Sequence, residues 1–188
     1  ADATELGDLL PLTKTEYALG ADAKSDTTEP HAKDKADPGN MQGFTFCFAM
    51  DYLAGEDHVI ERPKDYSYWR DFKMNTTKEK SYRFLSFDAE DSKKIGFDPE
   101  ARKGFWTYRR IGDRDLFTPG FYRGDISIVN WPQNDYSFGT ICDVSEAEFN
   151  KHVDAAKQMS LSLLYWLQTE VDRPDGGAGW KGLKLRPD

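Results

Sequence analysis

The stretch Gln42-Gly43-Phe44-Thr45-Phe46-Cys47-Phe48-Ala49-Met50-Asp51-Tyr52-Leu53 decides the fold class. Phe44, Phe46, Phe48 and Met50 recur every second residue, the period of a strand with one buried face. Downstream, residues 104–111 (Gly-Phe-Trp-Thr-Tyr-Arg-Arg-Ile) and 125–131 (Asp-Ile-Ser-Ile-Val-Asn-Trp) read as two further strands. Between them and the first strand lies a mostly polar region, 54–103, broken at Pro63 and Pro99. A short helix near Pro63–Phe72 and a strand near Tyr82–Phe87 are expected there. The clearest helix opens on Ser145 with Glu148 three residues later, a capping-box start. Phe149, Val153, Ala156, Ser160, Leu163, Leu164, Leu167 and Val171 follow at helical spacing. That helix should stop before Pro174. Upstream, Leu6, Leu9 and Leu10 suggest a turn or two of helix halted at Pro11. Residues 21–41 read as a long loop, and 175–188 as a glycine-rich, loop-like tail. The pattern predicts an α+β fold: a mostly antiparallel sheet of a few long strands with one long C-terminal helix packed on it.

The chain's 188 residues fit one domain with a real core. Aromatics reach 14%, so much of that core must be Phe, Tyr and Trp. A net charge of −8 repels phosphate backbones, which argues against nucleic acid as a partner. No apolar run approaches the ~20 residues of a membrane helix, so no membrane is expected. The opening Ala1-Asp2-Ala3-Thr4 carries no signal peptide and reads as an internal segment; a cytoplasmic location is the expectation. Cys47 lies in an apolar run, where cysteine usually acts as a small hydrophobe, and a disulfide to Cys142 stays open.

Several short motifs are better explained by folding. Gly177, Gly179 and Gly182 satisfy G-x-G-x-x-G, but a dinucleotide cradle needs a strand before it and a helix after it. Here a long helix comes first. Arg123-Gly124-Asp125 is an adhesion-like tripeptide that a turn before the third strand accounts for. Asn75-Thr76-Thr77 matches a glycosylation sequon and suggests an exposed loop. His31, His58 and His152 lack ligand spacing, so no metal site is expected. No nucleophile elbow and no catalytic-thiol context supports hydrolase chemistry.

Two segments resist that treatment. Arg109 and Arg110 end a predicted strand, so alternation sends them to opposite faces. An inward guanidinium needs a carboxylate or an anionic ligand; an ordinary surface arginine is the competing explanation. Asn130-Trp131-Pro132-Gln133-Asn134-Asp135-Tyr136 gathers amides, a carboxylate and aromatics directly after a strand. Such loops carry binding groups, although Pro132 and Asn134-Asp135 also simply form turns.

Five blocks, in order, resemble the FAD-dependent oxidoreductase family of bacterial proteins, some members of which carry a xanthan lyase label. They are Asp2-Ala3-Thr4-Glu5-Leu6-Gly7-Asp8-Leu9, Asn40-Met41-Gln42-Gly43-Phe44, Trp106-Thr107-Tyr108-Arg109-Arg110, Asn130 to Tyr136, and Leu163-Leu164-Tyr165-Trp166-Leu167. They span most of the chain apart from 54–103. The resemblance implies a Rossmann-type FAD domain with this region inserted or following. Residues 1–20 would be an edge of the flavin domain and 42–174 a substrate-side domain, within the single domain expected over 1–188. By the same resemblance Thr4, Glu5 and Asp8 lie near FAD, while Gln42, Tyr108, Asn130, Trp131 and Asn134 line the side facing a small-molecule substrate. Asp135 and Arg109 are the catalytic candidates, one as proton acceptor and one to stabilise an anion. The family's N-terminal glycine fingerprint is absent from this sequence. The expectation is therefore a substrate-side fragment whose FAD-binding half comes in cis or in trans, and which is not active as an isolated chain. The alternative is a stand-alone module that binds a small molecule or carbohydrate on exposed aromatic rings.

Overall fold

A computed structural model describes residues 2–75 and 81–187. Thr76 and Thr77 of the sequon lie outside the described residues. The chain divides into two compact units, one of residues 1–44 and 137–152, the other of residues 45–136 and 153–188.

The second unit is built on a four-stranded antiparallel sheet. Its order is Leu183–Leu185, Phe48–Tyr52, Ile126–Val129, Arg110–Gly112. Phe48 faces Val129 and Met50 faces Ser127; on the other side Leu185 faces Met50. The ladder to Arg110–Gly112 is irregular at Ile111, which a bulge pushes out to 63% exposure. The α+β class and antiparallel pairing agree with the sequence pattern.

The helix runs Glu146–Thr169 and stops before Pro174 as expected. The Glu148 amide donates to the Ser145 hydroxyl at 3.3 Å, satisfying one of the free N–H groups of the first turn. Ala156, Ser160, Leu163, Leu164 and Leu167 are buried. Near its end Gln168 is fully buried and fully used. Its amide donates to the carbonyls of His58 and Leu183, both at 2.7 Å, and its oxygen accepts from Ile60 N–H at 3.0 Å. The core is aromatic, as the composition required. Phe105 stacks near Phe87 at 5.4 Å and Trp131 at 5.1 Å, and Trp166 meets Phe87 at 5.3 Å. A second cluster joins Trp69, Phe72 and Phe84 beside the short helix Tyr66–Asp71.

Four expectations for the strands and tail are corrected. The alternating stretch 42–53 is not one strand: Phe44–Thr45 and Phe48–Tyr52 are separate strands in different sheets. Residues 104–111 are not one strand: Phe105–Tyr108 is a helical turn and only Arg110–Gly112 is extended. Phe105 and Trp106 are both buried, and adjacent residues of a strand cannot share a face. Gly104 makes the turn possible, since a Cβ there would lie 2.2 Å from the Gly96 carbonyl oxygen. The tail is not all loop, because Leu183–Leu185 forms an edge strand. The region 82–87 is extended only at Ser81–Arg83.

In the first unit the opening helix runs Leu9–Thr13, straight through Pro11. Pro11 is its third residue, where no intrahelical bond needs its missing N–H, so the predicted halt does not occur. Residues 21–41 hold one helical turn, Lys24–Thr27, and are tied by bridges from Ala21 to Asp37 and Ala23 to Lys33. His152 packs its ring on Gly139, where any Cβ would meet the imidazole at 2.0 Å.

Candidate functional site

The loop after the third sheet strand is pinned from beneath by Asn134, which is fully buried. Its side-chain oxygen accepts from Trp131 N–H at 2.8 Å. Its amide nitrogen lies 3.3 Å from the Val129 carbonyl, 3.3 Å from the Ser160 hydroxyl and 3.4 Å from the Phe46 carbonyl. Ser160, on the long helix, itself donates to the Phe46 carbonyl at 2.7 Å. Pro132–Asn134 closes as a single 3-10 turn above these bonds. The turn explanation of this segment is therefore realised, and the turn is held in place from the core.

Around that anchor five side chains converge. Asp135 is exposed and its carboxylate accepts from the Thr45 hydroxyl. Cys47 is an exposed residue with a free thiol, which reaches the Thr45 carbonyl at 3.7 Å. Asn130, half-buried, lies near enough to the Cys47 thiol to favour its ionised form. Arg109 lies close enough to act on that thiol by its charge, and its guanidinium sits 5.4 Å from the Tyr108 ring centroid. Desolvation pushes the thiol's pKa up, Arg109 and Asn130 pull it down, and Asp135 adds to the rise; the balance lies above the ordinary value. The rim thus offers one cation, one carboxylate, one amide, one hydroxyl and one thiol at the ends of strands and turns. It can hold a polar ligand, balance an anionic group on it, and accept a proton at Asp135.

The other predicted residues are placed as follows. Arg110, not Arg109, is the inward arginine. It pairs with Asp113 at 2.7 Å and with buried Asp125 at 3.0 Å. Arg102 joins the same carboxylate at 2.8 Å and also holds Asp113 and Asp115. Arg102 has φ +57°, a left-handed conformation uncommon for a residue with a side chain. Asp125 is thereby consumed, so the Arg-Gly-Asp tripeptide presents no free carboxylate. Trp131 is 1% exposed and its ring belongs to the aromatic core, against Phe97 and Phe105. Tyr108 is 57% exposed beside Arg109.

Thr4, Glu5, Asp8 and Gln42 belong to the first unit and are exposed. There Asp2 accepts from the Thr4 amide at 2.9 Å and the Leu9 amide at 3.2 Å, and Thr4 accepts from the Asp8 amide at 2.7 Å. Asp8 lines a pocket of about 460 Å³ with Leu10, Tyr17, Cys142, Val144 and Phe149. Cys142 is a free thiol, so the two cysteines form no disulfide.

A family model described as FAD dependent oxidoreductase matches residues 1–187. The chain belongs to the FAD-dependent oxidoreductase family. No curated protein and no solved structure matches it. Members of the FAD-dependent oxidoreductase family use FAD, so the residues can be tested for fit to that group. The one G-x-G-x-x-G pattern fails the test. It follows the long helix and leads into the strand Leu183–Leu185. A Cβ at Gly179 would lie 2.4 Å from the Gln168 carbonyl oxygen, and one at Gly182 2.4 Å from that of Leu53. These glycines let backbone pass close to backbone and do not cradle a pyrophosphate. Among the described residues no three His, Cys, Asp or Glu side chains gather to hold a metal ion. No helix of the described residues is long and apolar enough to cross a membrane.

Sequence reading missed Thr45, Cys47 and Ser160 as parts of the rim and its support. The signal for Cys47 was present: the alternation that turns Phe46 and Phe48 one way turns Cys47 the other. Ser160 carried no signal, because a serine on a helix face is legible only once its carbonyl partner is known.

Proposed function

We propose that this chain supplies the substrate-facing wall of an FAD-dependent oxidoreductase, with Thr45, Cys47, Arg109, Asn130 and Asp135 as the wall's polar rim. The observation that carries the reading is that Arg109 and, from a separate loop, Asn130 and Asp135 all act on one exposed thiol. The FAD pyrophosphate is held outside the described residues, in cis or in trans, since the glycine pattern here serves packing. The rim's own work is to orient a small-molecule substrate. Arg109 balances an anionic group on it, and Asp135 Oδ takes a proton from it as it is oxidised. Tyr108, exposed beside Arg109, extends the contact surface.

The test is substrate-driven flavin reduction in the intact flavoenzyme. Asp135→Asn and Arg109→Ala should each slow it by ~10²-fold or more. Unchanged reduction in both variants removes the reading. A second reading, a binding module for a small molecule or carbohydrate, draws on Phe117 and Phe121, which stack at 5.7 Å and are 40% and 66% exposed. It predicts carbohydrate binding by the isolated chain that is lost in Phe121→Ala, with rim variants binding as well as the parent.

A further inference from the structure

We infer that Asn134 and Ser160 together form a positioning clamp for the rim, fixing the Cys47 thiol and the Asn130 and Asp135 side chains from below. This rests on the reading of that rim as a site and deepens it. Resemblance nominates Asn134 as a substrate contact, but its burial is complete and every polar atom is spoken for inside the protein. A side chain so enclosed cannot touch a ligand. What it touches is informative. The Trp131 amide follows Asn130, the Phe46 carbonyl precedes Cys47, and Asp135 is Asn134's own neighbour. One amide therefore grips the backbone directly beside three of the five rim residues. Ser160 grips the Phe46 carbonyl a second time, from the helix.

The two bonds on that carbonyl come from separate elements, the 3-10 turn and the long helix. Removing either leaves the other, so Ser160 variants are graded probes of the same clamp. An aliphatic residue at position 134 would strand the Trp131 amide and loosen the loop. The largest influence on the Cys47 thiol is its partial withdrawal from water. Loosening the clamp should therefore re-expose the thiol, lowering its pKa toward the ordinary value and raising its accessibility.

The experiment is alkylation of Cys47 by iodoacetamide across pH, in a Cys142→Ser background so that one thiol reports. Asn134→Ala should lower the midpoint by about 0.5 unit or more and speed the reaction at fixed pH by roughly threefold or more. Ser160→Ala, which keeps the Asn134 bonds to Trp131, Val129 and Phe46, should shift the midpoint in the same direction by less, and it tests the clamp even if Asn134→Ala does not fold. Gln168→Ala loosens the same unit elsewhere and should leave the midpoint where it was. Profiles of both clamp variants superimposed on the parent overturn the inference; so does an equal shift in Gln168→Ala. The readout involves no flavin. Normal flavin reduction in the Arg109 and Asp135 variants would sink the proposed function while leaving the clamp standing.

Discussion

Two carboxylates of the second unit, Asp125 and Asp135, are built for opposite purposes. Asp125 is 4% exposed and receives two guanidiniums, from Arg102 and Arg110, together with the Arg114 amide at 3.1 Å. Asp135 is exposed and receives one hydroxyl, from Thr45. Around Asp125 the charges are matched within the protein, and nothing is left for a ligand. Around Asp135 the bonds are few and the surface is open. Neighbouring Arg109 and Arg110 divide the same way, one to the open rim and one to the closed network. An arginine beside a carboxylate is thus no sign of a site; the sign is whether its partners already satisfy it.

The comparison breaks most visibly at Asp125. Asp125→Ala leaves Arg102 and Arg110 without their shared partner and should cost about 3–5 kcal/mol in urea unfolding. A loss under ~1 kcal/mol would mean that Asp113 and Asp115 carry the network alone. The same carboxylate gives a pH dependence. Burial pushes its pKa up, but the Arg114 amide and the Arg102 and Arg110 side chains outweigh that and hold it below the ordinary 3.8. A carboxyl depressed on folding stabilises fully above its unfolded pKa and loses that contribution as pH falls through the folded one. Stability should therefore decline below about pH 4, and Asp125→Asn should flatten that acid limb. An unchanged acid limb in Asp125→Asn would assign the decline to other groups.

Next in size is Gln168, which closes the helix end with neutral bonds where Asp125 uses charge. Gln168→Ala strands two carbonyls and one amide, and at ~1 kcal/mol each the loss should approach about 2–3 kcal/mol. Its size should not vary between low and high salt, whereas the Asp125→Ala loss should shrink somewhat as salt rises. Equal salt responses in the two variants would erase the distinction between charged and neutral closure.

How much of this could be read beforehand differs between the layers. The strand Ile126–Val129 and the helix Glu146–Thr169 were legible because each carries its own period over enough residues. Residues 104–111 misled for a physical reason. Their alternation of large and polar side chains suits a strand, but Phe105 and Trp106 both need the core, and only a helical turn lets neighbours point there together. Leu183–Leu185 was illegible because three residues carry no period; the strand exists through its pairing to Met50–Tyr52. At the rim, Arg109, Asn130 and Asp135 were named by resemblance, and each acts on the ionisation of the Cys47 thiol. Thr4, Glu5, Asp8 and Gln42 were named the same way and fall in the first unit, where local bonds such as Thr4 to Asp8 account for the fold of the segment. Trp131 and Asn134 look alike to Asn130 in the sequence. Burial alone separates them, and it is set by distant residues: Phe97 and Phe105 against Trp131, and the Phe46 carbonyl against Asn134.

The smallest expected effect sharpens the contrast furthest. Arg109→Ala and Asp135→Asn remove exposed groups that no buried partner depends on. Each should change unfolding free energy by no more than ~0.5 kcal/mol. In the intact flavoenzyme the same two changes are expected to act strongly on turnover. A residue that matters little to stability and much to reaction is placed there for something outside the fold, whereas Asp125 should show the reverse. Were Arg109→Ala instead to destabilise the chain as Asp125→Ala does, the rim would be a second closed network. The open surface around Cys47 would then be an accident of packing, and the division between the two carboxylates would lose its meaning.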